Sequence, residues 1–306
     1  MKTANLFLTL ICLILTGCTR PKSPVTPTEA SAHPESSAEP TPASESFPYP
    51  LYSSERYHSE PLRIMHGEKT ITGISFIPEE TATTLIILSH GIGTNLWSTL
   101  PAAVKLAEAG YETVIFDFCG GSNDSASSGS MDEMSIRTEQ EDLDTVVQYM
   151  KQNTSCEHLY LLGLSQGGVV SAMEARNMQS ELDGLVLWFP AFNMQSLIKE
   201  KYGTPPVLNG PLTLYDQILS PKYFTDAMAV DFDEMMSDTP IPVLLLHGEA
   251  DTVVPPAFSI QAAKRYPDAE ITLIKNAEHG FFLEDLEEAC ALTVQFIEAC
   301  DDLNET

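Results

Sequence analysis

The stretch Leu159-Tyr160-Leu161-Leu162-Gly163-Leu164-Ser165-Gln166-Gly167-Gly168-Val169-Val170 constrains this chain more than any other part of it. An apolar run long enough for one buried strand meets Gly-x-Ser-x-Gly, and small residues suited to a first helical turn follow at once. So abrupt a strand-to-helix turn requires glycine at 163 and 167, where a side chain would collide with neighbouring backbone. Such a turn lifts the Ser165 hydroxyl above the carboxyl edge of a parallel sheet and aims the positive end of the new helix at it. The pattern predicts a serine mounted as a nucleophile.

The surrounding sequence supplies the sheet. Apolar runs predict strands over 57–66, 69–78, 85–88, 111–118, 184–189, 243–246 and 270–275. Amphipathic stretches predict helices over 101–109, 132–152, 255–266 and 284–299, besides the one that follows Ser165. Strands alternating with helices imply an α/β fold with a mostly parallel, doubly wound sheet covered on both faces. About fifty residues interrupt this rhythm after the sixth strand, rich in proline (Pro205, Pro206, Pro211, Pro221), aromatics and methionine. They predict a small cap over about 190–239, with Trp188, Phe189 and Phe192 as candidate walls of an apolar pocket.

A serine hydroxyl becomes nucleophilic when a base takes its proton, and the base needs a carboxylate to fix its tautomer. In hydrolases of this topology the chain order is serine, acid, histidine. Asp251 follows the 243–246 strand and His279 follows the 270–275 strand, both at strand carboxyl ends where a doubly wound sheet places its ligands. Glu249 and, more distantly, Asp117 are rival acids. His33 lies far upstream, His58 and His66 precede the core, His158 opens a strand, and His90 and His247 sit before glycines in strand-end turns. A tetrahedral intermediate also needs two donors. The backbone N–H of Gln166 is one candidate and that of Ile92 the other, with Gly93 as the alternative, because Gly91-Ile92-Gly93 allows close backbone approach.

The first fifty residues belong to no core. Met1-Lys2, an apolar run from Leu6 to Leu15 and Thr16-Gly17-Cys18 have the form of an export signal, too short to span a bilayer as a helix. Residues 1–17 are therefore read as a leader, Cys18 as a lipidated mature N-terminus, and 18–50 as a disordered Pro/Ser/Thr/Glu spacer before a domain at 51–306. The membrane is then engaged through the lipid alone, as in an exported bacterial lipoprotein. A net charge of −27 argues against nucleic acid and against anionic surfaces as partners. Cys119, Cys156, Cys290 and Cys300 show no metal-ligand spacing and read as free thiols, and no metal or organic cofactor is implied.

Beyond the nucleophile turn, several segments carry a family likeness: His90-Gly91-Ile92, Phe116-Asp117-Phe118-Cys119-Gly120, Met134-Ser135-Ile136 with Glu141-Asp142, and His247-Gly248-Glu249-Ala250-Asp251-Thr252-Val253-Val254. With these the chain resembles the α/β-hydrolase superfamily over roughly 57–300. Within it, the chain is most similar to bacterial cinnamoyl (feruloyl) esterases and related serine carboxylesterases. It departs from that subgroup at Leu164, where histidine is usual, at Ile92, often aromatic there, and at Cys119-Gly120-Gly121-Ser122. The resemblance implies a serine hydrolase cleaving carboxylic esters of small molecules through an acyl-enzyme, with aryl or hydroxycinnamoyl esters as one candidate class. The alternatives are a serine peptidase of the acyl-peptide hydrolase type and a non-catalytic surface binding protein of the same fold.

Overall fold

The computed structural model describes residues 47–210 and 212–304. The expected leader, Cys18 and the spacer up to residue 46 lie outside the described residues. The chain forms β1 (Tyr57–His66), β2 (Lys69–Pro78), β3 (Thr84–Ser89), α1 (Leu100–Glu108), β4 (Glu112–Phe116), α2 (Ile136–Asn153), β5 (His158–Leu164) and α3 (Gln166–Asn177). There follow β6 (Gly184–Trp188), α4 (Met194–Tyr202), β7 (Leu212–Leu214), β8 (Gln217–Leu219), α5 (Pro221–Met228) and α6 (Phe232–Ser237). The chain closes with β9 (Val243–Gly248), α7 (Ala257–Ala263), β10 (Ala269–Ile274) and α8 (Glu284–Asn304).

Eight of these strands form one sheet in the order β1-β2-β4-β3-β5-β6-β9-β10. The β1–β2 and β2–β4 pairs are antiparallel, and every pair from β4 to β10 is parallel. This is the α/β-hydrolase fold. Its central strands are unbroken apolar runs because both faces are covered. In β3, Leu85 and Ile87 face a core built with α2, α3 and the insertion, while Ile86 and Leu88 face a second core built with α1 and α8. The chain leaves β3 towards β4 through α1 and returns through α2 to β5 on the other side. The loops after β3 and β5 therefore diverge at a topological switch point, where an open α/β sheet has its ligand crevice.

Several boundaries differ from expectation for local reasons. The helix expected from 132 starts at Ile136, because the Ser135 side chain caps it in a capping box with Thr138. The folded part begins upstream of 51, since Phe47, Tyr49 and Tyr52 pack against the α1/α8 core. Trp188 is not a pocket wall: it is 1 % exposed, donates to Thr293 Oγ1 of α8 and packs on Phe281. Phe189, the first residue past β6, packs on the same Phe281 ring. All four described cysteines are free, and only Cys156 is not fully buried.

The 189–242 segment after β6 folds as α4, a β7–β8 hairpin, α5 and α6. It packs over α2 and α3: Lys222 Nζ donates to Ser135 Oγ at 2.7 Å, and Arg176 of α3 pairs with Glu234 and Asp238. Gln217 of the hairpin lies against Gly93 in the loop after β3. None of the described helices is long and apolar enough to cross a membrane.

Candidate active site

The turn between β5 and α3 places Ser165 at φ +53, ψ −118, a conformation that few non-glycine residues adopt. Strain of this kind costs about 1–3 kcal/mol and persists only where the surroundings enforce it. Here the enforcing groups are backbone. A Cβ at Gly163 would lie 2.4 Å from the Gly167 carbonyl oxygen, and one at Gly167 would lie 2.3 Å from that of Ser89. The Ser165 carbonyl accepts from Gly168 N at 3.1 Å and Ala191 N at 2.9 Å, which ties the turn to the start of the insertion.

His279, in the loop after β10, brings Nε2 to 3.0 Å from Ser165 Oγ, and its Nδ1 lies 2.7 Å from Asp251 Oδ2. Asp251 also accepts from Val253 N at 2.9 Å and Val254 N at 2.8 Å, both through Oδ1. His247, fully buried, adds a further contact: its Nε2 is 3.1 Å from Asp251 Oδ2 and 2.8 Å from the Val254 carbonyl. Two acceptors at Nε2 require the proton there, which leaves Nδ1 to accept from Ser259 Oγ at 2.7 Å. Burial alone raises the Asp251 pKa, but donation from His247, His279 and Val254 N–H and the charge of His279 outweigh it. The carboxyl is held well below its ordinary range and stays ionised. The rival acids are placed elsewhere. Glu249 is exposed, while Asp117 accepts from Leu96 N, Ala126 N and the Tyr49 hydroxyl.

Gly91 lies against the nucleophile, since a Cβ there would sit 3.2 Å from Ser165 Cβ. The N–H of Ile92 donates to no acceptor among the described residues. The N–H of Gln166, first residue of α3, has no intrahelical acceptor by position. Gly93 N–H is engaged with the Gly121 carbonyl at 3.1 Å, which removes it as the alternative. His90 braces this loop by accepting from Phe118 N at Nε2 (3.1 Å), with Nδ1 2.9 Å from the Gly91 carbonyl. Burial depresses its pKa and keeps it neutral. The arrangement can take a proton from a hydroxyl, hold the resulting imidazolium and present two free N–H groups to a developing oxyanion.

Two constellations were not legible in the sequence. Tyr215 of the insertion donates to Asn193 Oδ1 at 2.6 Å, and Asn193 Nδ2 donates to the Val253 carbonyl at 2.9 Å, joining the insertion to the Asp251 loop. The Gln166 side chain, fully buried, donates from Nε2 to Glu139 Oε2 at 2.7 Å and accepts at Oε1 from the Tyr223 hydroxyl at 2.5 Å. In the sequence α2 reads only as acidic and amphipathic, and the packing of α5 across α2 and α3 is what encloses Glu139. Among the expected aromatic walls, Phe189 (φ +39) sets its ring 4.9 Å from that of His279, while Phe192 packs within the insertion on Phe232.

Comparison with known proteins agrees with this architecture. A family model, Hydrolase_4, described as serine aminopeptidase, S33, matches residues 80–238, just over half of the chain and short of Asp251 and His279. Est1E from Butyrivibrio proteoclasticus, solved with ferulic acid bound, superposes with a TM-score of 0.71 at 20% identity, covering 78% of this chain and 99% of its own. The esterase EaEST from Exiguobacterium antarcticum gives 0.60 at 16% identity, covering 78% of this chain and 100% of its own. A predicted CIB-like hydrolase from Thermoplasma acidophilum gives 0.57 at 18%, covering 79% and 98%. No curated protein matches in sequence. These structural likenesses establish the fold, and the family match establishes kinship: the chain belongs to the Hydrolase_4 (S33) family of α/β hydrolases.

Proposed function

We propose that this hydrolase cleaves carboxylic esters through an acyl-enzyme. The observation that carries the reading is the continuous chain Ser165 Oγ–His279–Asp251 at 3.0 and 2.7 Å, mounted on a strained turn beside two N–H groups free to act as donors. Ser165 Oγ attacks the carbonyl carbon as His279 Nε2 takes its proton. The Ile92 and Gln166 amides hold the oxyanion, and Asp251 fixes the imidazole and balances its charge. On collapse, His279 gives the proton to the leaving alcohol, and water repeats the sequence to release the acid. The Phe189 ring against His279 favours an uncharged, apolar or aryl group beside the triad, hydroxycinnamoyl esters among them.

The family's description favours a second reading, removal of amino-terminal residues from peptides. Leu15-Thr16-Gly17-Cys18 supports export and attachment through a lipid on Cys18, which would hold the hydrolase at a membrane surface. The test compares the full chain with Ser165→Ala on short nitrophenyl esters, methyl ferulate and an aminoacyl anilide. Ester turnover lost in Ser165→Ala is expected. Cleavage of the anilide alone transfers the reading to peptides, and ester turnover that survives in Ser165→Ala refutes the nucleophile.

A further inference from the structure

The buried Glu139–Gln166–Tyr223 chain has no part in the proton relay, yet it ends on the residue whose amide follows the nucleophile. We propose that Glu139 is a positioning residue: it anchors the Gln166 side chain, which Tyr223 of the cap grips from the other side, and so fixes the amide of residue 166 where the oxyanion develops. The inference rests on the reading of that amide as an oxyanion donor.

Three observations carry it. First, an N–H at the first position of a helix has no intrahelical partner. The direction of the Gln166 amide is therefore set by the Ser165 turn before it and by whatever holds its own side chain. Second, both ends of that side chain are bonded: Nε2 to Glu139 Oε2 at 2.7 Å on α2, and Oε1 to the Tyr223 hydroxyl at 2.5 Å on α5. All three groups are buried, at 1 % exposure for Glu139 and 0 % for Gln166 and Tyr223, so water does not compete for the bonds. Third, Glu139 Oε1 has no hydrogen-bond partner although it is buried. A carboxylate meant for an ion pair would have a donor on that oxygen. Glu139 is thus held in no ion pair, and the bond to Gln166 is the one its side chain makes among the described residues.

The neutral state matters electrostatically. The groups facing Glu139 are Asp142 on its own helix, Gln166 on α3 and Tyr223 on α5, with Tyr215 beyond Tyr223. Asp142 is itself occupied by His66 Nδ1 at 2.8 Å and Cys119 N at 2.7 Å. Burial, which outweighs donation from Gln166 and is reinforced by Asp142, pushes the Glu139 carboxyl up to about 8. Below that pH no charge stands behind the oxyanion donor. Above it, a buried carboxylate opposes the negative charge of the transition state.

The test uses the full chain with Glu139→Leu, Glu139→Gln and Tyr223→Phe. It reads kcat and KM on an ester the parent turns over, the rate at which a fluorophosphonate labels Ser165, and the melting temperature. Loss of an oxyanion donor costs about 100- to 1,000-fold in kcat, and a displaced one less. Glu139→Leu and Tyr223→Phe are expected to lower kcat about 10- to 100-fold with KM within twofold, and to slow labelling in parallel. Glu139→Gln keeps the acceptor, so it should recover kcat to within about threefold of the parent and remove the parent's decline in kcat around pH 8. Glu139→Leu should melt no lower than the parent. Equal kcat and labelling in parent and Glu139→Leu, or an equal loss in Glu139→Leu and Glu139→Gln, would overturn the inference while leaving the nucleophile intact. A parent that the fluorophosphonate does not label at Ser165 would overturn the nucleophile assignment and this inference with it.

Discussion

Replacing Glu139 by glutamine should stabilise the protein, and the gain should depend on pH in a way that identifies its cause. In the unfolded chain this carboxyl ionises near its ordinary value of 4.5, whereas in the folded state burial holds it protonated up to about 8. Between those values the folded state binds one more proton than the unfolded state, so stability falls as pH rises through the window and stays level above it. Each pH unit costs about 1.4 kcal/mol, which accumulates to about 3 kcal/mol by pH 7. Glutamine has the same shape and keeps an oxygen for Gln166 Nε2, but it has no proton to retain. The Glu139→Gln protein should therefore match the parent near pH 4.5 and exceed it by about 3 kcal/mol at pH 7, an upward shift of roughly 6 °C at this chain length. Scanning calorimetry of both proteins at pH 5, 6, 7 and 8 measures the difference, and titrations common to the two cancel. A difference that stays flat from pH 5 to 8 refutes the reasoning, because it would mean that Glu139 carries the same charge in both states.

Three further outcomes are expected. Ser165→Gly should be inactive yet more stable than Ser165→Ala by about 1 kcal/mol, because only glycine relieves the φ of +53, and paired denaturant titrations measure the gap. His247→Leu removes one donor from Asp251 Oδ2 and strands a buried acceptor at Val254; it should lose about 2–4 kcal/mol. Cys18→Ala should move the protein produced in a bacterial host from the detergent phase to the aqueous phase on detergent phase partitioning, and retention in the detergent phase would refute lipid attachment at Cys18.

What the sequence disclosed followed from how local each constraint is. The sheet was legible because unbroken apolar runs such as 85–88 mark buried strands, and the nucleophile turn because its glycines are separated by fixed, short spacings. The pairing of Asp251 with His279 spans two strand ends, but chain order and the carboxyl-edge rule narrow the choice, and the geometry brings these two residues to Ser165. Glu139 was illegible for the opposite reason. Nothing in an acidic amphipathic helix distinguishes a solvated glutamate from one enclosed by a later segment, and α5 arrives more than eighty residues downstream. Likewise the aromatic run at 188–189 signals burial, but which ring meets α8 and which meets His279 is decided where the strand ends, at the positive φ of Phe189.

Asp251 is clamped by His247, Val253 N and Val254 N before His279 reaches it, so the acid is a fixed post and the imidazole is the part free to tilt. Each turnover asks that ring to serve first the hydroxyl of Ser165 and then the departing oxygen, and the Phe189 ring bounds its swing on one side at 4.9 Å. In the proposed ester hydrolysis the alcohol departs past that ring, which the first residue after β6 supplies. A Phe189→Ala protein that accepts bulkier leaving groups would be the mark of that wall.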